Sequence, residues 1–292
     1  MVSVIVPHYS DLAGLDRCLE ALERQSYPRD RFEIIVGDNN SPQGREAVEQ
    51  AVAGRARLTI VIEKGAGPAR NGALALARHE TLAFTDSDCV PDPFWLERGV
   101  KALERLDLVG GDMIIFPADV ANVTPVECFE LVFRFNNKAF IERENYSVTA
   151  NLFTRQSIFN KIGGFSHTGV SEDVEWCHRA VAAGYSLGYV AEILVLHPAR
   201  PDWAGLRKMT WRMDSEMFGL RVTSNLARVG WLFRIFFYPL SALAHTPRVL
   251  RSPRLNGLGQ RLAALGVLYR VRLLRSAVGL KLLMGGTPGH QA

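Results

Sequence analysis

The sequence predicts an α/β fold with a mostly parallel central sheet, extended at its C-terminal end by a basic helical region. Three observations carry this expectation. Over the first 120 residues, short apolar runs alternate with stretches of helical periodicity, which is the pattern of βαβ units. The composition is that of a folded chain: 292 residues, 48% hydrophobic and 22% charged, which rules out wholesale disorder. The charge is also split. Residues 1–199 carry 19 Lys and Arg against 27 Asp and Glu, whereas residues 200–292 carry 15 against 3. The expected division is a body at 1–202, with halves at 1–120 and 121–202, followed by a basic, partly amphipathic tail at 203–292.

The elements follow in order. The opening run Val2-Ser-Val-Ile-Val-Pro7 is too short for a signal-peptide core, lacks a basic leader and reads as a buried first strand. Further strands are expected at 32–38, 58–62, 81–85 and 108–116, with helices at 12–25, 45–53, 69–78 and 93–105 between them. Strands that alternate with helices form a parallel sheet covered on both faces, and such sheets place ligands beyond the carboxyl ends of their strands. That rule directs attention to residues 7–11, 38–41, 63–71 and 86–92. From residue 123 the pattern changes to a helix at 125–135, a polar stretch at 136–151 and a segment at 155–162 closed by Gly163-Gly164-Phe165. A helix at 172–183 ends at Gly184, a suitable C′ residue. Beyond it Trp203, Leu206, Thr210, Met213, Met217 and Leu220 recur at three- and four-residue steps, one stripe of a helix. The longest apolar stretch, residues 229–244, contains Arg234 and Pro239 and is shorter than the ~20 residues of a clean membrane span. It reads as interfacial or buried, with a tilted span still open. Cys18, Cys89, Cys128 and Cys177 form no C-x-x-C pair and read as reduced, buried thiols of a cytosolic protein.

Several strand-end segments carry side chains with chemistry, and each also has an ordinary structural reading. In Phe84-Thr85-Asp86-Ser87-Asp88, two carboxylates one residue apart can hold a hard divalent cation together with the hydroxyls of a nucleotide sugar. Asp, Ser and the following Pro91 are equally common in turns. In Gly37-Asp38-Asn39-Asn40-Ser41, Asp38 can accept from a base N–H or a ribose hydroxyl, or simply shape a turn. Tyr9 can stack on a base or be a strand-end aromatic. Gly65-Ala-Gly-Pro-Ala-Arg70-Asn71-Gly72 is not G-x-G-x-x-G, because Arg70 takes the place of the third glycine. It can offer Arg70 to a diphosphate or to the acidic loop, or start a helix. Acidic Glu172, Asp173 and Glu175 suit the first turn of a helix whatever the function, with Ser171 as N-cap. His197, at the end of an apolar run, is either structural or a metal ligand.

Taken in order, these segments resemble the family-2 glycosyltransferases, inverting enzymes with a GT-A nucleotide-sugar fold. The resemblance rests on V-S-V-I-V-P-H-Y-S (2–10), E-I-I-V-G-D-N-N-S (33–41), G-P-A-R-N-G-A (67–73) and F-T-D-S-D-C (84–89). It continues with T-A-N-L-F (149–153), I-G-G-F (162–165), S-E-D-V-E (171–175) and V-L-H-P-A-R (195–200), and it spans roughly residues 2–212. It implies a Rossmann-like GT-A catalytic domain at 1–202, with a nucleotide-sugar half at 1–120 and an acceptor half at 121–202. It further implies that Pro7, Tyr9, Asp38 and Arg70 line the nucleotide site and that Asp86 faces the ribose or the sugar. Asp88 would bind a Mn²⁺ or Mg²⁺ ion that bridges the diphosphate. Asp173 would be the catalytic base, ahead of Glu172 and Glu175, and His197 matches a position that in some relatives helps the metal or diphosphate. Uridine is favoured over guanosine and thymidine as the donor base. Asn39 and Cys89 depart from the family, standing where further acidic residues are frequent. The Gln-x-x-Arg-Trp mark of processive synthases is absent, so transfer of a single sugar is expected.

The tail has few of the aromatic-and-basic signatures of a nucleic-acid module, so an anionic membrane surface is the expected partner rather than nucleic acid. On a helix at 258–284, Arg261, Arg272 and Arg275 fall within about 60° of one another and form one imperfect cationic face. The expectation is that residues 230–285 lie on the cytoplasmic leaflet and bring in a lipid-linked acceptor; a basic helical cap packed on the sheet is the competing arrangement. The sequence as a whole is expected to encode a metal-dependent inverting transferase. It would move one sugar from a nucleotide-sugar donor to an acceptor hydroxyl on a glycan or lipid-linked carrier, in the cytoplasm or peripherally on the inner membrane face. A non-catalytic nucleotide-sugar-binding protein, or a membrane adaptor on the same scaffold, is the alternative; intact Asp86, Asp88 and Asp173 argue for the enzyme.

Overall fold

A computed structural model describes residues 1–166 and 171–285 and divides the chain into two compact units. Residues 1–114 with 135–197 form the first, and residues 115–134 with 198–292 the second. The side chain of Leu220 and the end of the expected tail, residues 286–292, lie outside the described residues. The expected boundary at 202 thus falls close to the C-terminal break, while 115–134 belongs with the helical unit.

The chain runs β1 (Val2–His8), α1 (Leu12–Glu23), β2 (Phe32–Asp38), α2 (Arg45–Val52), β3 (Arg57–Ile60), α3 (Ala66–Leu74) and β4 (Thr81–Phe84). It continues with β5 (Val90–Pro91), α4 (Trp95–Ala102), β6 (Leu108–Phe116), α5 (Pro125–Phe133), α6 (Asn137–Glu144), β7 (Leu152–Arg155) and α7 (Gln156–Ile162). Then come α8 (Glu172–Ala182), β8 (Leu187–Pro198), α9 (Trp203–Arg221), α10 (Asn225–Leu250) and α11 (Gly257–Leu283).

Eight strands form one sheet in the order β3-β2-β1-β4-β7-β6-β8-β5. Its first four strands are the expected parallel half, with β1 between β2 and β4 and β3 outside β2. The sheet as a whole is mixed, because β7 pairs antiparallel with both β4 and β6, and β5 antiparallel with β8. The parallel strands are buried on both faces, and their side chains divide with period two. Val2, Val4 and Val6 of β1 join Leu15, Leu19, Val48 and Trp95 on one face. Ile5 and Ile35 join Leu74, Phe159 and Trp176 on the other. Gly37 permits the close seating of α3 on β2, since a Cβ there would lie 2.1 Å from the backbone oxygen of Ala69, the residue before Arg70. All four cysteines are free and buried.

In the helical unit, α11 packs against α5, α9 and α10. Two of the three arginines expected to share one face of α11, Arg261 and Arg275, are used within the unit. Arg275 donates twice to Asp214, Nη2 at 2.5 Å and Nε at 2.9 Å, and Arg261 donates to the backbone oxygens of Leu250 and Gly257. Arg270 lies over the Trp203 ring at 3.9 Å. Burying Asp214 without a cation would be costly, so α11 supplies one. The α9 stripe shifts accordingly: Leu206 and Thr210 are buried, but Met213 is exposed and its neighbours Asp214 and Ser215 turn inward.

Replacing Gly37 by alanine should displace α3 or strain β2, because the clash is with backbone rather than with a flexible side-chain end. Urea unfolding should show a loss of about 2–4 kcal/mol; an unchanged midpoint would show that α3 does not need this approach.

Candidate active site

The parallel register sets where the side chains meet. His8 pairs with Asp38 across β1 and β2, and Ile5 with Phe84 across β1 and β4, so the carboxyl ends of the three strands open on one side. Below the opening, Phe84, Phe159, Phe165 and Trp176 form an aromatic cluster. Phe159 stacks on Trp176 at 4.1 Å, and Phe165 meets Phe84 edge-on at 5.6 Å. Trp176 lies one helical turn after Asp173, so its burial fixes the N-terminus of α8 beside the end of β4.

Arg70 links the two acidic segments. It is 3% exposed; its Nη2 donates to Asp86 Oδ1 at 2.6 Å and its Nη1 to Glu172 Oε1 at 2.5 Å. Burial by itself would lower the guanidinium pKa, but Asp86, Glu172 and Asp173 raise it, so Arg70 is a fixed cation. Its buried Nε has no hydrogen-bond partner among the described residues.

The three acidic residues at the start of α8 are distinguished by their partners. Glu172 is held by Arg70, and Glu175 by Arg179 at 2.5 Å. Among the described residues, Asp173 accepts a backbone hydrogen bond from Val174 N at 2.9 Å and has no bonded arginine. Part of the residue reaches solvent, yet its carboxyl is closely surrounded by protein. That burial, reinforced by Glu172 and opposed by Arg70, pushes its pKa up to about 6.

On the other side of the acidic loop, Asp86, Asp88, Cys89 and His197 each present a ligand atom, and these atoms lie within 4.8 Å of one another. His197 Nε2 is 3.8 Å from Asp88 Oδ2, and its ring lies 5.1 Å from that of Phe135. Burial first, then Asp88 and Asp86, pushes the Cys89 thiol well above its ordinary pKa. The two carboxylates and the imidazole of this group form a donor set suited to a hard or borderline divalent cation.

The nucleotide-side residues divide differently. Pro7 is buried at the end of β1 and Tyr9 is 61% exposed. Asp38 is 1% exposed and its carboxylate is already occupied: Oδ1 meets His8 Nδ1 at 2.7 Å and Ser41 Oγ at 2.5 Å, and Oδ2 accepts from Ser41 N at 2.9 Å. The structure therefore brings Arg70, Asp86, Glu172, Asp88 and His197 into one linked set, with Asp173 adjoining it, and turns Asp38 inward. Sequence reading missed the His8 and Ser41 partners of Asp38; the signal for His8 was its place directly opposite Asp38 in a parallel pair. Asn39 is structural. Its amide donates to the Val61 and Glu63 oxygens and accepts from Gly65 N, pinning the loop into α3 in a way that an Asp could not.

Comparison with known proteins identifies the architecture. The model of glycosyl transferase family 2 matches residues 3–166. Glycosyltransferase AglE of Haloferax volcanii is 36% identical over 251 residues, covering 83% of this chain and 78% of that protein. Among solved structures, the mannosyltransferase PcManGT from Pyrobaculum calidifontis, in complex with GDP-Man and Mn²⁺, superposes with a TM-score of 0.61 at 20% identity. That match covers 98% of this chain and 86% of the other. TarS (residues 1–349) of S. aureus in complex with UDP-GlcNAc gives 0.52 at 17% identity, covering 97% and 92%. These structural likenesses show the GT-A nucleotide-sugar fold. The family match runs over more than half of the sequence and AglE resembles most of it: this chain belongs to glycosyl transferase family 2.

Proposed function

We propose that this glycosyltransferase transfers one sugar, with inversion and with a divalent cation, from a uridine-diphosphate sugar to the hydroxyl of a glycan or lipid-linked acceptor. It would work as a cytoplasmic protein, peripheral at the inner membrane face. The observation that carries the reading is the double grip of Arg70, which draws the 86–88 loop and the start of α8 together. Three carboxylates, Asp86, Glu172 and Asp173, then act on one guanidinium and Asp88 stands beside Asp86, an excess of negative charge that a divalent cation would relieve. Asp86, Asp88 and His197 are the residues that would hold Mn²⁺ or Mg²⁺. When bound, such an ion stabilises charge developing on the departing diphosphate as a Lewis acid.

The chain's own groups do the rest. Asp173, with no cationic partner bonded to it among the described residues and a raised pKa, is the base: its carboxylate takes the acceptor hydroxyl proton. The acceptor oxygen bonds to the anomeric carbon from the face opposite the diphosphate, whose bond to that carbon breaks. General-base assistance of this kind is worth about 10²–10⁴ in rate. Glu172 and Glu175, each tied to an arginine, are weaker candidates for the base. Arg70 keeps one buried N–H for which a diphosphate oxygen is a fitting acceptor. Tyr9, exposed beside the β1 end, is available to stack on the base, while Asp38 fixes the ends of β1 and β2 through His8 and Ser41.

Asp173→Asn should abolish transfer while leaving nucleotide-sugar binding, read by calorimetry, within about threefold; near-normal turnover would remove the base assignment. The same variant should be more stable than the parent at neutral pH. A folded pKa near 6 against 3.8 for the ordinary group means that stability falls as pH rises from about 4 to 6, because the native state holds the proton more tightly. At about 1.4 kcal/mol per pH unit, the gain in Asp173→Asn should be about 1–3 kcal/mol at pH 7 and vanish near pH 4. For the unsubstituted enzyme, kcat/KM should drop as pH falls through about 6, the side on which the base becomes protonated; a flat acid limb down to about pH 4 would contradict this. Asp88→Ala should weaken UDP-sugar binding in the presence of Mn²⁺ by about tenfold or more and leave metal-free binding unchanged.

A further inference from the structure

The helical unit leaves a long apolar surface exposed. Helix α10 is 26 residues long and apolar enough to cross a membrane, yet only 22% of its most apolar window is buried. At 100° per residue its buried side chains Trp231, Ile235, Tyr238 and Ala242 fall within about 60°, facing α11. On the opposite side Val229, Phe233, Phe236, Phe237, Leu240 and Leu243 fall within about 120°, and all are exposed. Phe233, Phe236 and Phe237 are each more than 60% exposed. Three phenylalanines within five residues form a patch that a surface meeting only water does not keep. Helix α11 adds a second outward row, with Leu262, Leu273 and Leu280 exposed.

We infer that the outward face of α10 is a membrane-docking surface, which lies in the plane of an anionic bilayer with its phenylalanines in the interfacial layer and α11 behind it. Charge decides between a bilayer and a second copy of the chain. Residues 225–285 contain ten Lys and Arg and no Asp or Glu. Two such faces brought together would juxtapose cations, whereas anionic head groups complement them. Arg251, exposed at the C-terminal end of the apolar row, stands at head-group depth for a helix lying flat, whereas Arg228 and Arg248 donate to the Leu283 and Val132 oxygens. Packing sets the orientation. A helix crossing the bilayer would have to leave α11, where Ser276 Oγ donates to the Ile235 oxygen at 2.8 Å and a Cβ on Gly279 would lie 2.8 Å from Ile235. The contact with lipid is therefore apolar insertion by α10 and not adhesion of a cationic face on α11. It deepens the lipid-linked acceptor proposed above, but needs no catalysis to be observed.

The test is flotation of the full chain with phosphatidylcholine vesicles containing about one third phosphatidylglycerol, without nucleotide sugar or metal. The protein should float and stay bound in high salt. Phe233→Ser/Phe236→Ser/Phe237→Ser should lower the partition coefficient about tenfold or more while its thermal midpoint remains within a few degrees of the parent. A fluorophore on Phe237→Cys, the four native thiols being buried, should be quenched more by nitroxides near the head groups than by nitroxides at the bilayer centre. Stronger quenching from the centre would show a crossing helix and overturn the in-plane arrangement. Triple-variant binding equal to the parent, or complete release by salt, would reduce the contact to charge and overturn the insertion. A solution dimer lost in the triple variant, with no vesicle binding by the parent, would assign the face to a second copy and overturn the proposal.

Discussion

The buried guanidinium of Arg70 is the constraint on which the rest of the site depends. It joins carboxylates 16 and 102 residues away along the chain, and it does so from inside the protein, where the removal of one member of such a pair leaves an uncompensated charge worth about 3–5 kcal/mol. An ion pair this buried adds little net stability over apolar packing. What it contributes is placement: the end of β4 and the start of α8 are held at one distance from a common cation. The aromatic cluster beneath them performs the same task without charge, since Phe84 and Trp176 anchor those two segments through Phe159 and Phe165.

That placement carries a cost at Asp173. Asp173 is crowded by protein and by Glu172, and the guanidinium of Arg70 offsets only part of the penalty. A carboxylate held in such surroundings is a better proton acceptor than one in water, and the fold sacrifices some stability to keep it there. Beside it the neutral thiols of Cys18 and Cys89 pack under the acidic loop, the former donating weakly to the Asp86 backbone oxygen at 3.5 Å. Apolar filling below and carboxylates above keep the loop's charge directed at whatever enters from the strand ends.

The helical unit follows a different logic. Its arginines look superficially like a lipid-binding face, but several are committed to internal partners: Asp214, backbone oxygens at the α10–α11 turn and the ring of Trp203. With carboxylates almost missing from this part of the sequence, helix packing consumes cations by cation–π and carbonyl contacts, and the apolar residues that helices usually bury are left outside. Arg261 and Arg275, two of the three arginines expected to share one face of α11, are among those taken up in this way.

Much was legible in the sequence because it depends on local order. The period-two runs at β1, β2 and β4 specify strands buried on both faces, and the helices between them specify parallel connections, so Asp38, Asp86 and Tyr9 had to lie at one edge of a sheet. The antiparallel strands β7 and β8 were not legible as sheet partners, since β7 is only four residues long and its pairing with β4 and β6 is non-local. Which of three acids in one helical turn has no bonded arginine among the described residues was equally invisible: Glu172 is reached by Arg70, which another element places, while Glu175 pairs with Arg179 one turn on in the same helix. The same holds for Asp38, whose carboxylate could face a base or, as it does, His8 and Ser41. Sequence determined most of the elements and the candidate groups at their ends, because propensity and periodicity act over a few residues; tertiary structure alone decided the partners of those groups, because hydrogen bonds and burial depend on distances that the chain order does not contain.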